Sequence, residues 1–213
     1  MYLMICTRPD IAYIVGILSR YMEKPTNMHW QGVKRVIRFL KGTENRGIAF
    51  NLNSNCTKLN VYCDADWAGD VDTRRSTTGW IALLNGGPVA WSSRKQTVTA
   101  TSTTEAEFVA LCATTKAVVW LRRLMSDLDQ QQTQPTPIRC DNQRAITLVK
   151  DPQSTKRTKH IDTQYFYTCD MYKIEEIDVQ YVSTDNQLAD PLTKALSKEK
   201  FKSLVNQYGL YDV

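Results

Sequence analysis

Residues Val61–Trp67 read Val-Tyr-Cys-Asp-Ala-Asp-Trp, and no other stretch limits the possible folds of this chain so sharply. On a strand, side chains alternate, so Tyr62, Asp64 and Asp66 would face one way and Val61, Cys63 and Ala65 the other. Aspartate is a poor strand former, and a buried carboxylate is costly to desolvate without a partner. Asp64 and Asp66 therefore require compensation, most simply by a divalent cation. The small apolar residues anchor the strand while the acids line a site. A second short apolar run, Ile138–Asn142, carries the same Cys-Asp pair at Cys140 and Asp141. Two strands ending in Cys-Asp point to one shared site.

The 213 residues, 42% of them hydrophobic, suffice for one filled core and an appended piece. The net charge of +5 matters only where it is clustered. Lys34, Arg35, Arg38 and Lys41 form one cluster; Lys150, Lys156, Arg157, Lys159 and His160 form another. A solvated helix face or loop explains either alone, but beside an acidic metal site phosphate binding is the better reading. The cysteines show no CxxC pair and no zinc spacing with His29 or His160, and read as reduced, mostly buried thiols. With no signal peptide or long apolar span visible, the expectation is a cytoplasmic protein in a reducing compartment, with no membrane partner.

Along the chain, Arg8-Pro9-Asp10 opens a helix whose apolar residues Ile11, Ile14, Val15, Leu18 and Met22 recur at helical spacing up to Pro25. Thr26 or Asn27 caps a second helix with Trp30, Val33, Ile37 and Leu40 as its stripe, and Gly42 stops it. Gly47–Leu52 reads as a strand, followed by the acidic strand Leu59–Trp67. Thr78–Leu84 and Pro88–Ser92 complete an antiparallel meander around the turn Asn85-Gly86-Gly87. Ser102 opens the longest helix, running to about Leu128, with Phe108, Leu111, Cys112, Val118, Met125 and Leu128 on one face. Then come a strand to Asp141, a helix Gln143–Lys150, a basic loop, an aromatic helix near Ile161–Tyr172, a strand Ile177–Val182 and a terminal helical region. Strands separated by helices favour parallel pairing. The expected fold is α/β: a mixed five-stranded sheet, three antiparallel strands then two parallel, with helices on its faces and a helical segment before it.

Four acids on four elements can meet only through folding: Asp64, Glu107, Asp141 and Asp190. Singly, Asp141 and Asp190 could be helix caps and Glu107 a solvated helix position. Their Asp-Glu-Asp-Asp order resembles the ribonuclease H fold and its two-metal nuclease site, whereas an integrase would place its glutamate last. Particular strings bring the resemblance closer. They are Thr7-Arg8-Pro9-Asp10-Ile11-Ala12, Arg35 to Thr43, Asp64-Ala65-Asp66-Trp67-Ala68-Gly69, Thr104-Glu105-Ala106-Glu107-Phe108-Val109-Ala110, Cys140-Asp141-Asn142-Gln143, Arg157 to Asp162 and Leu188-Ala189-Asp190-Pro191-Leu192-Thr193-Lys194. In this order they resemble the C-terminal end of the Pol polyprotein of copia-type long-terminal-repeat retrotransposons.

That resemblance implies residues 1–55 as the tail of a reverse transcriptase and 56–213 as a ribonuclease H domain, with no polymerase site in this chain. It implies Asp64, Glu107, Asp141 and Asp190 as catalytic metal ligands for two Mg2+ ions, with Mn2+ as substitute, about 3.5–4 Å apart. The implied reaction is endonucleolytic hydrolysis of the RNA strand of RNA–DNA hybrids. The implied partners are the hybrid, held in part by Lys156, Arg157, Lys159 and His160, and the upstream reverse transcriptase domain, with virus-like particles as a further setting. The alternative is a catalytically silent, nucleic-acid-binding remnant. Asp66 could assist, although the family usually has a small polar residue there. Ser183–Ala189 lacks the histidine that many cellular relatives carry before the fourth acid. Glu105 and Glu107 diverge by about 200° on a helix. One site recruits only one of them, and Glu105 falls where a capping box begun by Ser102 would use it.

Overall fold

The structure is a computed structural model that describes residues 1–51, 58–151 and 162–212. In chain order its elements are α1 (Tyr2–Cys6), α2 (Ala12–Ser19), α3 (Asn27–Lys41), β1 (Arg46–Ile48), β2 (Asn60–Asp66), β3 (Thr77–Leu84) and β4 (Gly87–Lys95). There follow α4 (Thr103–Asp127), β5 (Thr136–Cys140), α5 (Gln143–Lys150), α6 (Asp162–Lys173), β6 (Ile177–Tyr181), α7 (Lys198–Gln207) and β7 (Leu210–Asp212). Tight 3-10 turns lie at Pro9–Ile11, Thr184–Asn186 and Asp190–Leu192.

The acidic strand β2 is the centre of a five-stranded sheet ordered β4-β3-β2-β5-β6. β2, β3 and β4 pair antiparallel, and β5 and β6 extend the sheet in parallel. Asn85 and Gly86, both at positive φ, make the tight link between β3 and β4. α5 and α6 carry the chain across from β5 to β6, as a parallel pair requires. The alternation expected of β2 is met. Val61 and Cys63 enter a core with Phe108, Leu111, Cys112 and Val118 of α4. Tyr62 faces the opposite layer, where Ile81, Leu83, Leu192, Leu204, Tyr208 and Leu210 pack with Ala12 of α2. β2 is thus buried on both faces, and Asp64 is buried with it.

Several elements depart from their expected bounds. The helix foreseen to Pro25 begins as the 3-10 turn Pro9–Ile11 and ends at Ser19. Beyond it Arg20 turns to Asp70 at 2.8 Å and Tyr21 Oη donates to Asp72. Thr26 caps α3, sharing a capping box with His29. The expected apolar stripe of α3 is not buried: Trp30 and Ile37 are exposed, and so is Leu128, just past α4. The strand expected at Gly47–Leu52 is only Arg46–Ile48 within the described residues. It pairs with β7, a C-terminal strand that no local pattern announced. Gly209, at φ +80° just before β7, lies where an added Cβ would collide with Gly86 O, an approach a side chain would obstruct.

Residues 1–51 attach to the sheet through buried polar contacts as well as apolar ones. Arg8 donates from Nε and Nη2 to the two oxygens of Asp10, each at 2.9 Å, and from Nη1 to Thr43 O. Arg46 lies 3.7 Å from the same Asp10 and 3.1 Å from Asp212, tying β1 and β7 to this pair. Trp91 of β4 donates to Met4 O. The described cysteines other than Cys6 are buried thiols, and none is in a disulfide.

Candidate active site

Asp64 stands near the C-terminal end of β2, flanked by β3 and β5. Its antiparallel neighbour on β3 is Gly79, and a Cβ there would lie 2.5 Å from Thr193 Cγ2 and 2.9 Å from Leu192 Cβ. Glycine at this point lets the Asp190–Thr193 turn lie directly against the acidic strand. Thr193 Oγ1 donates to Asp64 Oδ2 and contacts Asp190 O, which fixes the fourth acid beside the first.

Glu107 lies in the second turn of α4, and its phase follows from how that helix starts. Ser102 Oγ accepts from Glu105 N, while Glu105 Oε2 accepts from Thr101 N and Thr101 Oγ1. Glu105 therefore closes the helix start at the surface, one residue earlier than a strict capping box would have it. Glu107, on the other side of α4, is 6% exposed and accepts from Ala65 N of β2. Asp141 follows the last residue of β5, and Asn142, not Asp141, caps α5. Asp141 Oδ2 accepts from Thr184 Oγ1 at 2.9 Å.

The fold brings the four acids together. Ligand atoms of Glu107, Cys140 and Asp141 lie within 4.8 Å of one another. Asp64 is close enough to feel the charges of Asp141 and Asp190, and Glu107 that of Asp64. Burial, reinforced by Asp190 and Asp141, pushes Asp64 up to about 6 despite Lys194 and Thr193. Burial, with Asp64, Cys140 and Asp141 nearby, pushes Glu107 up to about 11. Burial also raises half-buried Asp66, against the opposing pull of Lys194; Asp66 sits on the rim, its carboxylate folded over Gly69.

Two lysines of the site were not singled out in the sequence. Lys194 Nζ lies 3.2 Å from Asp64 Oδ2 and 2.9 Å from Asp190 Oδ1, bridging the two acids. Lys200 of α7 reaches Asp190 Oδ2 at 2.8 Å and Thr184 O at 3.1 Å. The Cys140 thiol lies 3.8 Å from Glu107 Oε2. The available signal for Lys194 was its spacing of four residues from Asp190, which places the two on adjacent turns. The expected nucleic-acid contacts Lys156, Arg157, Lys159 and His160 lie outside the described residues.

The donor set fits divalent cations. Its carboxylates are hard oxygen ligands, crowded together where bound cations would relieve their repulsion. Asp190 Oδ1 is enclosed, and although Lys194 is at ion-pair distance it receives no aligned hydrogen bond. The Cys140 sulfur is a poor ligand for such ions and serves as apolar packing behind Glu107.

The strand order, with its change from antiparallel to parallel at the β2–β5 pair, is that of the ribonuclease H fold. Among solved structures, LC11-RNase H1, isolated from compost by a metagenomic approach, is similar over 70% of this chain and 99% of its own, with 16% identity and a TM-score of 0.48. No protein-family model matches the chain. Its homologues are copia-type retrovirus-related Pol polyproteins from plant transposons, about 40% identical over nearly the whole chain. It is 40% identical over 211 residues to the retrovirus-related Pol polyprotein from transposon TNT 1-94 of Nicotiana tabacum, covering 99% of this chain. It is 41% identical over 207 residues to that from transposon RE2 of Arabidopsis thaliana, covering 97% of this chain. It spans only 16% and 14% of the length of these two relatives. It is also 50% identical over 121 residues to Secreted RxLR effector protein 161 of Plasmopara viticola, covering 57% of this chain and 84% of that protein.

Proposed function

We propose that this chain hydrolyses the RNA strand of RNA–DNA hybrids as the ribonuclease H unit of a retrotransposon polyprotein, with Asp64, Glu107, Asp141 and Asp190 holding two divalent cations. The observation that carries this reading is the convergence of four acids from β2, α4, the end of β5 and the turn at Asp190, three of them buried. A set of carboxylates so costly to bury is retained where it binds cations. Mg2+ ions held there, or Mn2+ in their place, would supply activation of the attacking water and stabilisation of the leaving oxygen at a scissile phosphodiester.

The chain's own residues do the positioning. Ala65 N–H and the α4 packing hold Glu107 toward the site. Thr193 holds Asp64, and Thr184 holds Asp141. In the ion-free chain burial keeps Glu107 protonated at neutral pH, so its carboxyl must release a proton to become a ligand. Cation affinity therefore rises with pH. The five-stranded sheet and all four acids lie beyond residue 56, which supports placing the nuclease unit at 56–213 and the end of a reverse transcriptase at 1–55. The upstream polymerase domain is the proposed partner in the same polyprotein, acting in a reducing compartment. No described helix is long and apolar enough to cross a membrane. The basic residues Lys156, Arg157, Lys159 and His160 are proposed to track the hybrid's phosphates, with selection by groove shape and 2′-hydroxyls.

The test is incubation of the purified chain with end-labelled RNA, presented single-stranded and as an RNA–DNA hybrid, in Mg2+ and in EDTA. Internal cuts confined to the hybrid and to Mg2+ are expected. Equal cutting in EDTA, or of single-stranded RNA alone, would overturn the proposal.

A further inference from the structure

The Lys194 side chain occupies a place that the cations of the proposed reaction would also need. Its ammonium sits between Asp64 Oδ2 and Asp190 Oδ1, at 3.2 and 2.9 Å. A divalent cation coordinates carboxylate oxygen at about 2.0–2.1 Å when it is Mg2+. An ion bridging the same two oxygens would therefore stand almost in contact with the ammonium, two like charges in a largely buried pocket. Both cannot stay.

We propose that Lys194 is a tethered cation that neutralises Asp64 and Asp190 in the ion-free chain and must be displaced before a divalent ion bridges them. This inference rests on the metal-dependent reading above and deepens it, by making the two halves of the site unequal. Among the described residues no lysine or arginine pairs with Glu107 or Asp141, whereas two lysines pair with the Asp64–Asp190 half. An ion enters beside Glu107 and Asp141 with no described side-chain cation to displace. The Asp64–Asp190 half is already paired.

Three features suit Lys194 to leaving. Its side chain is 34% exposed, which gives it a path outward, whereas the Asp64 and Asp190 side chains are 2% and 0% exposed and stay. The ammonium makes close ion pairs with both acids but no well-aligned hydrogen bond to Asp190 Oδ1. Thr193, not Lys194, fixes the turn to Asp64, so the turn keeps its place when the lysine swings away. Lys200 differs on this last point. It is also bonded to Thr184 O, which anchors it, and it contacts the other oxygen of Asp190. It remains to balance that acid.

The experiment counts Mn2+ ions bound by the purified 213-residue chain, using calorimetry and the loss of the free Mn2+ resonance signal. The wild type should bind one ion well and a second more weakly. A lysine seated about nine-tenths of the time weakens the competing ion about tenfold, so Lys194→Met should tighten the second ion by about that factor. Lys194→Arg, which keeps a cation, should behave like the wild type. In EDTA Lys194→Met should melt lower than Lys194→Arg, and Mn2+ should reverse the order. A second measurement needs no variant. Amine-specific labelling of wild-type Lys194, followed by mass spectrometry, should speed up as Mn2+ is added and the ammonium is expelled. Equal ion counts and affinities in all three proteins, or labelling unchanged while Mn2+ binds, would overturn this inference alone. Failure of every form to bind Mn2+ would overturn it together with the proposed function.

Discussion

Glu107→Gln is the perturbation whose consequence the buried site determines most tightly. Glu107 ordinarily titrates near 4.5, and burial raises it to about 11 in the folded chain. Between those values the folded chain keeps a proton that the unfolded chain releases, so the contribution of this group is full below about pH 4.5 and falls as pH rises. The fall is about 1.4 kcal/mol per pH unit. Asp64, raised to about 6, adds a loss of the same sign that is complete once pH passes 6. From pH 6.5 to 8.5 the slope at the site therefore comes from Glu107, and two units amount to about 3 kcal/mol. Glutamine keeps the shape of the protonated acid and an oxygen for Ala65 N–H, but it does not titrate. Urea denaturation in EDTA at several pH values is the assay. The wild type should lose about 3 kcal/mol more than Glu107→Gln across this window, and the variant should be the more stable protein at pH 8.5. Added Mg2+ should narrow that gap, because the wild type alone retains the full ligand set. Parallel stability curves for the two proteins in EDTA would refute the argument, since they would mean that Glu107 is ionised and solvated in the fold.

Three further changes separate neighbouring roles. Glu105→Gln, at the exposed start of α4, should retain most hybrid cleavage and cost at most about 1 kcal/mol by urea denaturation. Gly79→Ala should destabilise the chain by about 1–3 kcal/mol, because its Cβ would press on Leu192 and Thr193. It should also lower hybrid cleavage by shifting Asp190 away from Asp64, and kinetics under conditions where the variant is fully folded check this. Asp10→Asn leaves the buried Arg8, and Arg46 beside it, without their carboxylate, and should cost about 3–5 kcal/mol in thermal or urea unfolding with little effect on the ion-binding residues.

What the sequence disclosed followed range of interaction. The two-faced character of β2 was legible because alternation is local, and so were the β3–β4 turn at Asn85-Gly86 and the Ser102 start of α4. Thr26 was legible as a cap for the same reason. The pairing of β1 with β7 was not, because it joins Ile48 to Leu210 across most of the chain, and three-residue strands carry no periodicity. The stripe of Trp30 and Ile37 on α3 shows that a helical pattern announces an apolar face without saying what covers it. Leu128 failed for a related reason: it kept the spacing of α4 but fell on the C-cap. At the site, the order of the four acids could be read directly from the sequence, and the meeting of all four only through the resemblance which that order carries. Lys194 escaped notice because a lone lysine is ordinarily a solvated charge, and only the approach of the Asp190–Thr193 turn to Gly79 places its ammonium between two buried acids.

Single-turnover cleavage of a labelled RNA–DNA hybrid by the wild type, Asp64→Asn and Asp141→Asn, in Mg2+ and with hybrid binding measured alongside, tests the metal-dependent nuclease reading most directly. The expected result is internal cutting of the RNA by the wild type, and loss of cutting in both variants with hybrid binding and folding kept. Cleavage at the wild-type rate by either variant would contradict it.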